Sequence, residues 1–223
     1  MTMLELPLSF LHRPAAAHTL NPWLLVLMYG VGSNEQDLFG LAPYVPAPFH
    51  VLSLRAPYRM GPQASAWFAF SVAADGTRHI DEPQESASRA LVAQTVESAA
   101  RQLGIAATRV VVGGFSQGGI MALTLLLTRP ALLQACMVWH SRLLPQALDD
   151  AAPAAALAGR GLWVSHGVQD NVIPLASARA IRDHAQGLPL ALSYREYPGV
   201  HEIRPEELRD SMAWLQDLTG VMD

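Results

Sequence analysis

Two kinds of apolar patterning alternate along the chain. Six runs rich in branched residues, LLVLMY (24–29), FHVLSL (49–54), RVVVGG (109–114), LLQACMVW (132–139), GLWVSH (161–166) and LALSYREY (190–197), are separated by polar and turn-forming segments. The first five are nearly continuous rather than alternating, the pattern of strands covered on both faces, as in a parallel sheet. Helical spacing fills the gaps. Asn34 followed by Asp37 gives an N-cap and an acidic third residue for a helix over EQDLFGLAPYV, which Pro46 ends. In PQESASRALVAQTVESAARQLG, Ala87, Leu91, Thr95, Ala99 and Leu103 recur every fourth residue, predicting one core-facing stripe with Gly104 as the stop. Gln117 to Thr128 is apolar on most sides, as expected of a helix beneath other layers, and Pro130 closes it. Two more helices are expected after Pro174 and Pro205, and Ala151 to Gly159 reads as a small-residue loop.

Strand and helix alternating in this way predict a three-layer α/β/α domain over residues 1–223, with a mostly parallel central sheet. No large cap domain is expected, because the only long insertion between core strands, residues 55–82, is short and contains Pro and Gly.

Composition narrows the function classes. At 223 residues, 51% apolar and 15% charged, the chain has ample core material and lacks the signature of disorder. A net charge of −4 leaves no electrostatic footprint for nucleic acid or an anionic membrane. The longest apolar stretch, Pro22 to Val31, falls far short of the roughly 20 residues of a membrane span, so no stable membrane insertion is expected. The amino-terminal MTMLELPLSFLHRP has neither a basic n-region nor a small-residue cleavage site. The single cysteine, Cys136, lies in an apolar run and reads as a buried thiol of a reducing compartment, so the expected location is cytoplasmic.

The chemistry centres on VVVGGFSQGGIM (110–121). Gly114-Phe115-Ser116-Gln117-Gly118 fits G-x-S-x-G with a strand before it and a helix after it. Such a serine turns sharply, and side chains at the glycine positions would collide with the neighbouring strand and helix. A glycine-rich turn that only packs closely or binds phosphate is the alternative. Against nucleotide binding, there is no G-x-G-x-x-G and no following Lys. A serine nucleophile also needs a base and a carboxylate, in the order Ser, Asp, His. Asp170 follows the run GLWVS and His201 follows the last strand, both at the carboxyl edge of the expected sheet, where ligands bind in open α/β folds. His166, four residues before Asp170, is expected to pack the turn, and His140 to serve at most as a pocket wall. A metal set of His166, Asp170 and His201 lacks recognisable ligand spacing, so no metal is predicted. Asp149 and Asp150 are expected to be solvated.

With these residues in view, the chain resembles the phospholipase/carboxylesterase family of the α/β-hydrolase fold, which includes the acyl-protein thioesterases. The matching pieces are YGVGSNEQDLFGLAPYV after the first core strand, AWFAF at 66–70, GFSQGG around Ser116, RLLP at 142–145, HGVQDNVIP around Asp170 and YPGVHE around His201. The resemblance implies Ser116 as nucleophile, Asp170 and His201 as its partners, and the backbone amides of Val31 and Gln117 as the oxyanion hole. Two departures stand out. Family members usually read L-H-G where this chain has Tyr29 before Gly30, and S-G where it has His140-Ser141. Tyr29 is expected to prop the oxyanion loop through its phenol. Trp67, Phe68, Trp139 and Leu143, with Tyr29 and His140, are candidates to line an acyl pocket, ordinary core aromatics being the alternative. The implied activity is hydrolysis of small-molecule or acyl-chain carboxylic esters through an acyl-enzyme, with thioesters and lysophospholipid-type esters as further candidates. No cofactor is required, and family habit implies a homodimer. The rival readings are a non-catalytic ligand-binding protein on the same fold and a hydrolase of amide bonds.

Overall fold

Each of the six apolar runs forms a strand. The computed structural model describes residues 4–74 and 78–220, so both ends of the expected 1–223 domain, and three residues of the 55–82 stretch, lie outside the described residues. In chain order the strands are β1 (Phe10–Arg13), β2 (Trp23–Met28), β3 (Phe49–Leu54), β4 (Tyr58–Gly61), β5 (Ala64–Ala66), β6 (Phe70–Val72), β7 (Arg78–Ile80), β8 (Val110–Phe115), β9 (Ala135–Trp139), β10 (Gly161–Gly167) and β11 (Ala191–Tyr197). Seven of them make one sheet in the order β1-β3-β2-β8-β9-β10-β11. Only β1 runs antiparallel to its neighbour, with Phe10 opposite Leu54; the other pairs are parallel. Strand β8 lies at the centre, with Val112 paired to Val26 on one side and Cys136 on the other.

Burial follows the patterning. Every residue of β2, β9 and β10 is buried, whereas the edge strand β11 is mostly half-buried, which is why its sequence alternates and theirs do not. The described residues between 58 and 80 form two small antiparallel strand pairs, β4-β5 and β6-β7, and add no cap-sized body.

The helices are α1 (Glu35–Phe39), α2 (Glu82–Leu103), α3 (Gln117–Thr128), α4 (Pro145–Asp149), α5 (Leu175–Gln186) and α6 (Pro205–Thr219). Helix α3 packs against β2, β8 and β9 and is buried from Gln117 to Leu127, as its all-round apolar sequence requires.

Three expectations need correction. The first helix is shorter than EQDLFGLAPYV: Asn34 caps it, its Oδ1 accepting from the Gln36 amide at 2.9 Å, but it stops at Gly40 and a 3-10 turn over Ala42–Tyr44 replaces the rest. Pro43 lacks the N–H that would continue an α-helix. In α2 the buried face is Ser88, Val92, Val96 and Ala99, with Thr95, while Ala87 is exposed and Leu91 and Leu103 are only half-buried. Steps of four residues advance about 40° around a helix at each repeat, so a strict fourth-residue row winds off the core. The loop expected over 151–159 contains a 3-10 turn, Ala154–Leu157.

Strand β1 has no counterpart in the predicted elements, since FLHR is short and only half-buried. Arg13 fixes it: its guanidinium donates to the carbonyls of Ala42 (2.6 Å), Val45 (3.0 Å), Pro46 (3.2 Å) and Phe49 (2.7 Å). Cys136 is buried, and burial pushes its thiol pKa up, as for a core thiol. Among the described residues no helix is long and apolar enough to cross a membrane.

Candidate active site

Between β8 and α3 the chain reverses at Ser116, which takes φ 55° and ψ −117°. A β-carbon on Gly114 would lie 2.2 Å from the Gly118 carbonyl, and one on Gly118 would lie 1.9 Å from Met28 O. Both distances are far inside contact, so the glycines are required by the approach of helix to strand. The strained turn is braced from β9: the Ser116 amide donates to Trp139 O at 2.9 Å and the Ser141 hydroxyl donates to Ser116 O at 2.7 Å. Ser116 retains 7% exposure at the carboxyl edge of the sheet.

Asp170 and His201 arrive from the loops after β10 and β11. His201 Nε2 lies 3.0 Å from Ser116 Oγ, and His201 Nδ1 lies 2.7 Å from Asp170 Oδ2. The two loops are laced together, with the Gln169 amide donating to Gly199 O at 2.9 Å and the Gly199 amide to Gln169 Oε1 at 2.7 Å. Asp170 Oδ1 accepts from the amides of Val172 (2.9 Å) and Ile173 (2.8 Å), which fixes the carboxylate in its turn. Burial would raise the Asp170 pKa, but hydrogen bonds from His201, His140 and these two amides outweigh it and hold the group below its ordinary value. His166 is structural, its Nε2 lying 2.8 Å from Ile173 O, and burial lowers its pKa.

His140 departs most from the sequence reading. It is 1% exposed, so it lines no accessible surface, and its ring bridges two carboxylates: Nδ1 is 3.0 Å from Asp170 Oδ2 and Nε2 is 3.2 Å from Glu207 Oε2. Burial opposes a charge on this ring, yet the Glu207 and Asp170 carboxylates outweigh it and hold the His140 pKa above the ordinary imidazole value. His140, Asp170 and His201 each offer a ligand atom within 4.8 Å of the others, a spacing close enough for a metal ion. Asp170 Oδ2 is, however, already the common acceptor of both rings.

Facing the elbow is the loop after β2. A β-carbon on Gly30 would lie 3.2 Å from Ser116 Cβ, which puts Gly30 against the serine, while Gln117 starts the first turn of α3, where helix amides lack intrahelical acceptors. Tyr29, Trp67, Phe68 and Trp139 are at most 1% exposed, and Leu143 is half-buried. The first four therefore offer no wall to a ligand, and three of them belong to a buried polar latch. Trp67 Nε1 donates to Tyr29 O (2.9 Å), the Trp67 amide donates to Gln117 Oε1 (2.9 Å), and Gln117 Nε2 donates to Phe68 O (2.7 Å). The Tyr29 phenol accepts from the Ala56 amide at 2.9 Å, the prop expected of it. What is exposed around the site is the apolar rim of Val168, Val172 and Val200, beside Asp170 and His201.

Comparison with known proteins decides the family. The pattern of the Phospholipase/Carboxylesterase family matches residues 15–219. The chain belongs to that family. A probable carboxylesterase of Oryza sativa subsp. japonica is 27% identical over 206 residues, covering 85% of this chain and 86% of the relative. Acyl-protein thioesterase 1 of Gibberella zeae is 32% identical over 129 residues, covering 56% of this chain and 53% of that protein. Among solved structures, the carboxylesterase of Bacillus cereus superposes with a TM-score of 0.79 at 20% identity, covering 95% of this chain and 94% of that one. Acyl-protein thioesterase 2 of Zea mays gives 0.76 at 21% identity, covering 94% and 98%. These neighbours establish an α/β-hydrolase-like fold, and the sequence relatives are esterase-type hydrolases.

Within this phospholipase/carboxylesterase frame, two residues of the site escaped sequence reading. The Gln117 side chain carries no sequence signal, because its partners, the Trp67 amide and Phe68 O, lie some fifty residues upstream. Glu207, fully buried in the first turn of α6, follows Pro205 in a charged run with no apolar signal of burial.

Proposed function

We infer that the protein hydrolyses carboxylic esters through an acyl-enzyme on Ser116, with thioesters and lysophospholipid-type esters as further candidate substrates. The observation that carries this is the continuous run of Ser116 Oγ, His201 Nε2 at 3.0 Å, and His201 Nδ1 with Asp170 Oδ2 at 2.7 Å, on a serine held in a strained turn. His201 Nε2 takes the Ser116 proton as Oγ bonds to the acyl carbon. The same Nε2–H then passes to the leaving alkoxide or thiolate, and the bond to the leaving group breaks. Water repeats the sequence in reverse: His201 accepts its proton, the hydroxyl bonds to the acyl carbon, and the proton returns to Ser116 as the acid departs. Asp170 holds Nδ1–H and stabilises the imidazolium formed in each half. The amides of Val31 and Gln117 serve as donors to the oxyanion, each worth about 2.7–4 kcal/mol by the loss seen when one such donor is removed. No step calls for a cofactor. The half-buried Leu143 and the Val168, Val172 and Val200 rim are the apolar surfaces left to receive an acyl group. The reading takes residues 1–223 as one domain, cytoplasmic and paired as a homodimer; gel filtration with light scattering tests the pairing.

Ser116→Ala should lower turnover of a p-nitrophenyl ester on the order of 10⁶-fold, as triad knockouts do elsewhere. A loss under about tenfold would overturn the reading. A panel of p-nitrophenyl esters and thioesters of graded length assigns the acyl group.

A further inference from the structure

The site contains a fourth and a fifth ionisable group that the acyl-transfer steps do not use. Asp170 Oδ1 is consumed by the Val172 and Ile173 amides, so Oδ2 alone serves the imidazoles. It faces His201 Nδ1 at 2.7 Å and His140 Nδ1 at 3.0 Å, with His166 Nε2 farther off at 3.3 Å and nearer to Ile173 O, at 2.8 Å. His140 Nε2 in turn faces Glu207 Oε2 at 3.2 Å, and that oxygen also accepts from the Arg204 amide at 3.3 Å as part of the cap of α6. A ring between two carboxylates has its orientation fixed: the Gly167 amide approaches Nδ1 only at 3.4 Å, against 3.0 Å for Asp170, so whichever of His140 and Glu207 carries the proton they share, Nδ1 remains the donor to Asp170.

We propose that His140, oriented by Glu207, is a positioning residue that takes a share of Asp170 Oδ2 and thereby moves the working range of the hydrolysis to lower pH. This rests on the acyl-enzyme reading given above. A carboxylate oxygen that accepts two N–H bonds stabilises each imidazole less than it would one alone. The imidazolium form of His201 is further opposed by the His140 ring, whose centroid stands 5.7 Å away, edge-on. The acid limb of the hydrolysis therefore lies at lower pH than it would if Asp170 Oδ2 served the Ser116–His201 pair alone. The other groups facing His140 do not reverse this. His166 stacks on it at 5.1 Å with burial favouring its neutral form, the Phe115 ring is uncharged, and Asp170 and Glu207 are the two carboxylates already counted.

His140 sits at φ 48°, a conformation that asparagine tolerates best among residues with a β-carbon. His140→Asn therefore removes the imidazole with least strain and is too short to bridge Asp170 and Glu207. Its acid limb of kcat/KM should move to higher pH. At about pH 5.5, activity relative to its own high-pH plateau should fall about three- to tenfold, one unit of ionisation being a factor of ten. Glu207→Gln, which keeps the acceptor for the Arg204 amide, should move the limb the same way by less. Long-range ¹H–¹⁵N spectra of the unmodified protein should hold a proton on His140 Nδ1 across the neutral range. An acid limb that stays in place or moves to lower pH in folded His140→Asn overturns the proposal. Should that variant not fold, an unmoved limb in Glu207→Gln or an unprotonated His140 Nδ1 does so. Ser116→Ala separates the two readings: if it stays active the acyl-enzyme reading fails, whereas an unmoved acid limb beside an inactive Ser116→Ala fails only this one.

Discussion

Tyr29 occupies the position that decides how the loop after β2 is held. Its phenol accepts the Ala56 amide while its carbonyl takes the Trp67 indole N–H, so one residue is tied at both ends to different segments. Tyr29→Phe leaves the buried Ala56 amide without an acceptor, a loss of about 1–3 kcal/mol. Thermal denaturation should register that loss, and on the proposed function kcat should fall with little change in KM, because the Val31 amide of this loop is the proposed donor to the transition state and not to the bound ester. A rise in KM at constant kcat would show that the tyrosine shapes substrate binding instead. Tyr29 was legible as a prop because the phenol was the one feature distinguishing it from the family's histidine. His140 was not, because nothing local to it announces that Glu207, some seventy residues downstream, will be buried against its far nitrogen.

Secondary-structure elements were recovered where burial is two-sided. Continuous apolar runs leave a strand little choice of environment, and β2, β8, β9 and β10 lie where those runs predict, with Ser116 and Asp170 beyond the carboxyl ends of β8 and β10. Elements held by polar contacts were harder to see. Strand β1 depends on Arg13, whose four carbonyl partners span the 3-10 turn at Ala42–Tyr44 and the start of β3. No hydrophobic period reports such a clamp. Arg13→Met keeps the aliphatic stem and removes the donors, and it should cost about 2–3 kcal/mol. Hydrogen exchange should localise the loosening to β1 and the 42–49 segment while β8 and β9 remain protected. Uniform loss of protection would mean that this edge does not open separately.

For the molecule as a whole, the buried histidines and carboxylates link folding to pH. The Asp170 pKa lies below its ordinary 3.8 in the folded state, so its stabilising contribution is complete above that range and is lost as pH falls through the depressed value. The His140 pKa lies above its ordinary 6.5, so its contribution is complete below 6.5 and is lost as pH rises through the raised value. His166, with its pKa lowered by burial, acts in the opposite sense in the same window, but it is common to wild type and variant. The stability difference between wild type and His140→Asn should therefore be largest between about pH 4 and 6.5 and shrink above it. Urea denaturation at mildly acidic and mildly alkaline pH measures this directly; a difference that grows with pH would contradict a proton bound more tightly by the folded state.

The latch of Tyr29, Trp67 and Gln117 lies wholly beneath the surface, whereas Val168, Val172 and Val200 stand on it, in the loops that carry Asp170 and His201. On the proposed function, reaction geometry and substrate contact fall to different sets of atoms. A lineage, or an engineer, can rewrite the rim one valine at a time and sample new acyl partners, with the proton path left mechanically untouched.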